Sequence, residues 1–241
     1  MIFIFKEING ISIHYDEYGS GKDIILLHGW GASKNTFKNL ASNLGDKYHV
    51  IAIDLPGFGD TRIDESLGLV EVVKLIHQFL QALNITHPTF IGHSYGGRLA
   101  MIYASLYPVD KLVLVSAAGL KEKLSLDKLL KIKIYKYFKR HNISLSMGSA
   151  DYQNSDEIKK KMLVEAVNND LSDYLDNIDV PTLLIYGRND KVTSLQLARR
   201  INEKIKTSSL VVMEGAGHFP YLEQPTIFSL ILNAFLVGDE G

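Results

Sequence analysis

The run Gly92-His93-Ser94-Tyr95-Gly96-Gly97 carries the residue with the clearest chemical potential in this chain. A serine hydroxyl is a weak nucleophile. It needs a base beside it, and the base needs a carboxylate to orient it. Glycines on both sides of the serine permit a sharp turn where a side chain would strike a neighbouring strand or helix. Alone, such a pattern can also be a tightly packed glycine turn, so its setting matters more. It follows a short apolar run at 89–91 and opens a helical pattern at 95–107. A strand, a turn and a helix in that order lift the hydroxyl above the sheet, as in a nucleophile elbow.

The base must come from the eight histidines at 14, 28, 49, 77, 87, 93, 141 and 218. Most have unremarkable places: His14 in a hairpin, His49 at the start of a strand, His77 in a helix, His87 before Pro88. His218 lies in Gly215-Ala-Gly-His218-Phe-Pro220, directly after the last apolar run at 210–213. Loops at the carboxyl ends of strands are where an α/β sheet builds its site. Asp190, in Tyr186-Gly-Arg-Asn-Asp190-Lys, holds the equivalent place after the run at 182–186. The order Ser94, Asp190, His218 differs from the orders of chymotrypsin and subtilisin.

Attack on a carbonyl creates an oxyanion, which needs two preorganised N–H donors. The backbone N–H of Tyr95 is one candidate. The backbone N–H of Trp30, in His28-Gly29-Trp30-Gly31 after the run at 24–27, is the other. Asp54, opening Asp54-Leu-Pro-Gly-Phe-Gly59, has the place of a residue that bonds loop amides rather than one that catalyses.

Elements that position these residues are legible from periodicity. Near-continuous apolar runs at 24–27, 49–53, 89–91, 112–115, 182–186 and 210–213 suit strands buried on both faces of a parallel sheet. Stretches at 33–43, 68–83, 95–107, 193–205 and 224–236 have helical spacing. Asn9-Gly10 between the runs 2–8 and 11–18 predicts an antiparallel hairpin. Strands alternating with helices predict an α/β fold with helices on both faces of a mostly parallel sheet. The interval between 115 and 182 is too long for a simple crossover. A helical stripe at Leu126, Leu129, Leu130, Ile134, Tyr137 and Phe138 and a second helix over 156–168 predict an inserted helical cap at 119–178. Residues 1–118 and 179–241 then form the core of a single domain.

Composition narrows the possibilities further. A chain of 241 residues with 46% hydrophobic and 22% charged residues is an ordinary globular domain. A formal net charge of −1 lacks the basic excess of a nucleic-acid binder. The absence of cysteine excludes disulfides, thiolate metal sites and a cysteine nucleophile. No run resembles a signal peptide or approaches the ~20 apolar residues of a membrane span. The expectation is a cytoplasmic protein acting on a small molecule, with no integral membrane segment and with its oligomeric state open. The near-zero net charge conceals a basic segment at 121–140, where eight Lys/Arg face two Asp/Glu for a local charge of +6. Its readings are a solvated helix face, an anion-attracting rim or a membrane-surface helix.

With these motifs in this order, each after a strand, the chain resembles the α/β-hydrolase superfamily from end to end. More narrowly it is similar to small bacterial serine hydrolases with a short helical cap. The resemblance implies Ser94 as nucleophile, His218 as base and Asp190 as acid, with no metal or organic cofactor. It implies hydrolysis of a small carboxylic ester. Cleavage of a carbon–carbon bond in a carboxylate-bearing substrate, by a hydrolase or a lyase, is the alternative on the same triad. A non-catalytic binding protein on this scaffold is the rival outside enzymology. Arg98, four residues after Ser94, completes a Gly-Gly-Arg arrangement also seen in a menaquinone-pathway lyase of that fold. It is a candidate for binding a substrate anion, against the plainer role of pairing within the protein.

Overall fold

The computed structural model describes residues 4–121 and 156–238. Eight strands form one sheet: β1 (Ile4–Ile8), β2 (Ile11–Tyr18), β3 (Asp23–Leu27), β4 (His49–Ile53), β5 (Thr89–His93), β6 (Leu112–Val115), β7 (Thr182–Gly187) and β8 (Ser208–Met213). Their spatial order is β1-β2-β4-β3-β5-β6-β7-β8. β1 pairs antiparallel with β2 and β2 with β4, whereas every pairing from β4 to β8 is parallel. The hairpin turns at Asn9 and Gly10, which take φ of 50° and 80°, the left-handed conformations that such a two-residue turn requires.

Alternation along the strands sorts side chains onto two faces. Ile25, Leu27, Phe90, Leu114 and Leu184 point to one side. There they meet α2 (Leu69–Ala82), α3 (Tyr95–Leu106) and a later helix at Leu195–Lys204. Ile24, Leu26, Ile91, Val113 and Ile185 point to the other. They pack on a 3₁₀ turn (Lys34–Phe37), α1 (Lys38–Leu44) and the C-terminal helix Pro225–Val237. Each such side chain, when fully buried, stabilises the fold by about 1.5–3 kcal/mol. Both faces are covered, which is why the strands read as apolar runs without alternation.

Between β6 and β7 the described elements are α4 (Glu157–Asn168) and α5 (Ser172–Leu175). Asp156 caps α4 by accepting from the Lys159 N–H at 2.8 Å. The remaining helices are α6 (Leu195–Lys204), α7 (Pro220–Glu223) and α8 (Pro225–Val237). The stripe at 126–138 and nearly all of the basic segment 121–140 lie outside the described residues.

The strand order creates the site's location. β3 has β4 on one side and β5 on the other. The chain therefore leaves β3 in one direction and returns on the opposite side. At such a switch point the loops after the two central strands diverge and leave a crevice above their carboxyl ends. Here those loops begin at His28 and Ser94.

Candidate active site

Ser94 sits at the hinge between β5 and α3 with φ 50° and ψ −106°. A non-glycine residue with this backbone is strained, and such strain persists only where surrounding structure imposes it. The imposition is visible. The Ser94 N–H donates to the Val115 carbonyl at 3.0 Å, which holds the turn on β6. A Cβ at Gly92 would lie 2.6 Å from the Gly96 carbonyl oxygen. One at Gly96 would collide with the Leu27 carbonyl. The two glycines of the motif are thus what lets α3 start directly against β3.

Asp190 and His218 are brought together by the loops after β7 and β8. His218 Nδ1–H donates to Asp190 Oδ2 at 2.8 Å. The same Oδ2 accepts from Thr193 Oγ1–H at 2.6 Å. Oδ1 accepts from the N–H groups of Val192 and Thr193 at 2.7 and 3.0 Å. The carboxylate side chain is fully buried. Burial alone would raise its pKa, but the bonds from His218, Thr193 and Val192 outweigh that and hold it well below the usual carboxylate range. Asp190 is therefore an ionised acceptor locked in one orientation. Thr193 is a partner of the candidate acid that sequence patterns did not single out, although a hydroxyl three residues after an aspartate is a familiar turn chemistry.

Ser94 Oγ makes no hydrogen bond to the His218 ring among the described residues. Its connection to the pair runs through its neighbour. His93 Nε2–H donates to the main-chain carbonyl of His218 at 2.8 Å, and the two rings stand 4.8 Å apart.

The loop after β3 is held by His28, whose side chain is fully buried. Its Nδ1–H donates to the Gly29 carbonyl at 2.8 Å and its Nε2 accepts the Leu55 N–H at 3.0 Å. Those partners fix the tautomer. Desolvation lowers its pKa to about 4, so the ring stays neutral. The His28 carbonyl accepts the Gly96 N–H at 3.1 Å, tying this loop to the Ser94 turn. Trp30 and Tyr95 meet edge-on with ring centroids 5.1 Å apart, and Phe58 packs edge-on to Trp30 at 4.9 Å. The two residues whose N–H groups are the oxyanion candidates are thus coupled through their own side chains.

Asp54 behaves as its sequence context suggests. It accepts from the Lys34 N–H, Lys34 Nζ and the Asp60 N–H at 2.8, 2.7 and 3.0 Å. Arg98 is buried to 9% exposure, and its Nη1 donates to the Asn169 carbonyl at 3.2 Å just beyond α4. Its observed link is therefore to the protein itself. Glu165 adds a second link from α4 by accepting the Leu69 N–H at the start of α2, at 3.0 Å. Among the described residues no group of three or more His, Asp or Glu side chains could hold a metal ion. No helix among them is long and apolar enough to cross a membrane.

A sheet of this order, with a strained serine after β5, an aspartate after β7 and a histidine after β8, defines the α/β-hydrolase architecture. The chain belongs to the alpha/beta hydrolase fold family, whose model matches residues 23–142 and 143–225. It is 29% identical to monoacylglycerol lipase ABHD6 of Mus musculus, over 91% of this chain and 77% of that protein. It is 27% identical to 2-hydroxy-6-oxo-2,4-heptadienoate hydrolase of Pseudomonas putida, over 96% of this chain and 95% of that one. An esterase from Exiguobacterium antarcticum has the same fold, with a TM-score of 0.79 at 23% identity, covering 97% of this chain and 99% of the other.

Proposed function

We propose that the protein is a serine hydrolase that cleaves a small carboxylic ester through an acyl-enzyme. The observation that carries this reading is the Asp190–His218 hydrogen bond in loops that converge beside the strained Ser94 turn. In ligand-free enzymes the nucleophile–base contact is often long and tightens only with substrate. His218 Nε2 takes the Ser94 proton as Oγ attacks the carbonyl carbon. Asp190 keeps the proton of His218 on Nδ1 and stabilises the imidazolium that forms. The N–H groups of Trp30 and Tyr95 receive the oxyanion, each such donor being worth about 3–4 kcal/mol. The imidazolium then protonates the leaving alcohol, and water repeats the cycle on the acyl-enzyme. No cofactor enters this scheme.

Residues 119–178 serve in this reading as a cap over the crevice, in a cytoplasmic protein. Supporting the cap are the Glu165 and Arg98 links and the approach of Lys159 Nζ to within 5.9 Å of the Phe58 ring centre. Similarity to a 2-hydroxy-6-oxo-2,4-heptadienoate hydrolase over nearly its full length supports a second reading. There the same triad cleaves a carbon–carbon bond in a carboxylate-bearing diketone. A fluorophosphonate probe tests the reactive serine: labelling of the wild type that vanishes in Ser94→Ala is the expected result. An unlabelled wild type would leave only a binding role. Rates on p-nitrophenyl esters of rising chain length, beside a vinylogous diketone acid, then separate the two enzymatic readings.

A further inference from the structure

We propose that His93 is a positioning residue, whose Nε2–H anchors the backbone of His218 and so fixes where the base stands relative to Ser94. The proposal rests on the roles given above to Ser94 and His218. The loop bearing His218 has little stiffness of its own. Gly215 takes φ 77° and Gly217 stands one residue before the base, and glycines leave the chain more backbone freedom than any other residue. Asp190 holds the His218 ring, while the loop's backbone is tied by Gln224 Nε2–H to the Glu214 carbonyl at 2.7 Å, by the Asn189 N–H to the Ala216 carbonyl at 2.8 Å, and by two further side chains next to the base. Glu223 accepts the N–H groups of Gly217 and Phe219 at 2.6 and 2.9 Å. His93 captures a carbonyl between them, that of His218 itself, at 2.8 Å. Because His93 is the last residue of β5 and Ser94 follows it, this bond joins the base's backbone to the nucleophile's with one residue intervening.

Packing alone does not call for an imidazole here. The ring is 1% exposed and touches His218, Phe219 and Tyr221, with centroids at 4.8, 4.8 and 5.3 Å. A carbonyl can only accept, so the proton is on Nε2 and Nδ1 is bare. Nδ1 is buried without a hydrogen-bond partner. It faces the loop after β3, where a Cβ at Gly29 would lie 2.7 Å from it. A methionine or leucine would fill this space without the unpaired Nδ1, itself an unfavourable arrangement, but it would take the donor away from the His218 carbonyl. The retained imidazole is accounted for by its donor. Burial, with His218 nearby, drives the His93 pKa down to about 3. The ring therefore stays neutral and keeps the same donor over the pH range in which such enzymes work.

Two near-isosteric variants separate donor from shape: His93→Gln, whose amide N–H can reach the carbonyl, and His93→Met, which has no donor. In His93→Met, kcat on a p-nitrophenyl ester should fall by about 10- to 100-fold, the scale of a sub-ångström misplacement of a catalytic group. KM should stay within about twofold, as for an interaction that matters only in the transition state. The far-downfield proton resonance of the Asp190–His218 bond should broaden or move. His93→Gln should recover most of the loss and the resonance. Equal losses in both variants, or no loss in either, would overturn the proposal. Nitrogen NMR of the wild type checks it without any variant. An Nε2-protonated His93 that does not titrate between roughly pH 5 and 8 is expected. An Nδ1-protonated or titrating His93 would sink the idea. A wild type that fluorophosphonate does not label would instead fault the serine-hydrolase reading, and the NMR result would still judge His93.

Discussion

Asp54 stands just past β4 and Asp190 just past β7, both buried at the carboxyl edge of the same sheet. Each carboxylate gathers N–H donors from the main chain of its surroundings. Asp54 takes those of Lys34 and Asp60, and Asp190 takes those of Val192 and Thr193. The remaining partner separates them. Asp54 faces Lys34 Nζ at 2.7 Å, a permanent cation that also contacts Asp60. Its charge is already answered, and the knot fastens the loop after β3 to the loop after β4. Asp190 faces the Nδ1 of a histidine, a group that gains its positive charge only when a proton arrives. Its charge remains available to the cation that His218 becomes whenever it takes up a proton. The turn chemistry is alike in both places, and a partner brought in from a distant loop decides whether the carboxylate meets a permanent cation or one that comes and goes with a proton.

That contrast should break most sharply at Asp190. Asp190→Asn should lower kcat by about 10⁴-fold, because the amide favours the wrong imidazole tautomer, while the protein stays folded. Steady-state kinetics with a parallel melting curve check this, and a loss below tenfold would end the comparison. Lys34→Met should act the other way round. It leaves the Asp54 charge buried and uncompensated, a loss of about 3–5 kcal/mol in stability by denaturant titration. Its kcat/KM well below the melting temperature should change far less than that of Asp190→Asn.

A pH series sharpens the picture at the histidines. His28 and His93 have folded pKa values of about 4 and about 3, against 6.5 for the free side chain. Below pH 6.5 the unfolded chain binds these protons and the folded one does not, so stability falls as pH drops from 6.5 towards 4. Each pH unit between the folded and free values is worth about 1.4 kcal/mol. Asp190 has the same sign at lower pH: its depressed pKa makes a contribution that is lost only under more strongly acid conditions. Melting temperature should therefore fall through that window in the wild type and fall less steeply in His93→Gln. An equal slope would contradict the buried neutral ring. The smallest effect belongs to Arg98→Ala. As a tether to the Asn169 carbonyl, its loss should raise KM by a few-fold, equally for neutral and carboxylate-bearing esters. A rise confined to the carboxylate-bearing esters would mean direct contact with substrate.

Much of this was legible before any coordinates. The apolar runs at 49–53 and 112–115 coincide with β4 and β6, and helical spacing at 68–83 and 224–236 places α2 and α8 to within a residue or two at each end. Covered strands and amphipathic helices are local patterns, and sequence records local patterns well. That Asp190 and His218 lie in loops after strands was legible for a related reason, since β7 ends three residues before the one and β8 five before the other. The anchor from His93 was not. Periodicity places residue 93 in the turn after the run at 89–91, but does not say that its ring will meet a carbonyl 125 positions away. His49 makes the same point. It reads as the first residue of a strand, yet its ring lies between Asp23 and Glu17 at 2.6 and 2.7 Å. Those partners are chosen by the registers that β4 adopts with β3 and β2. Arg98 reads as a residue near the nucleophile, and only the return of the chain after α4 supplies its carbonyl.

The positive φ of Ser94 sets protein stability against the retention of this residue. A non-glycine residue in such a conformation costs about 1–3 kcal/mol, and glycine would relieve most of that. Ser94→Gly should therefore melt at a higher temperature than the wild type, with a gain on the order of 1 kcal/mol after the extra chain entropy of glycine is counted. An unchanged or lowered melting temperature would show that the turn is unstrained. If the gain is found, random mutation screened for folding alone would drift towards glycine at this position. A serine kept there despite that slope is the mark left by selection for something other than stability.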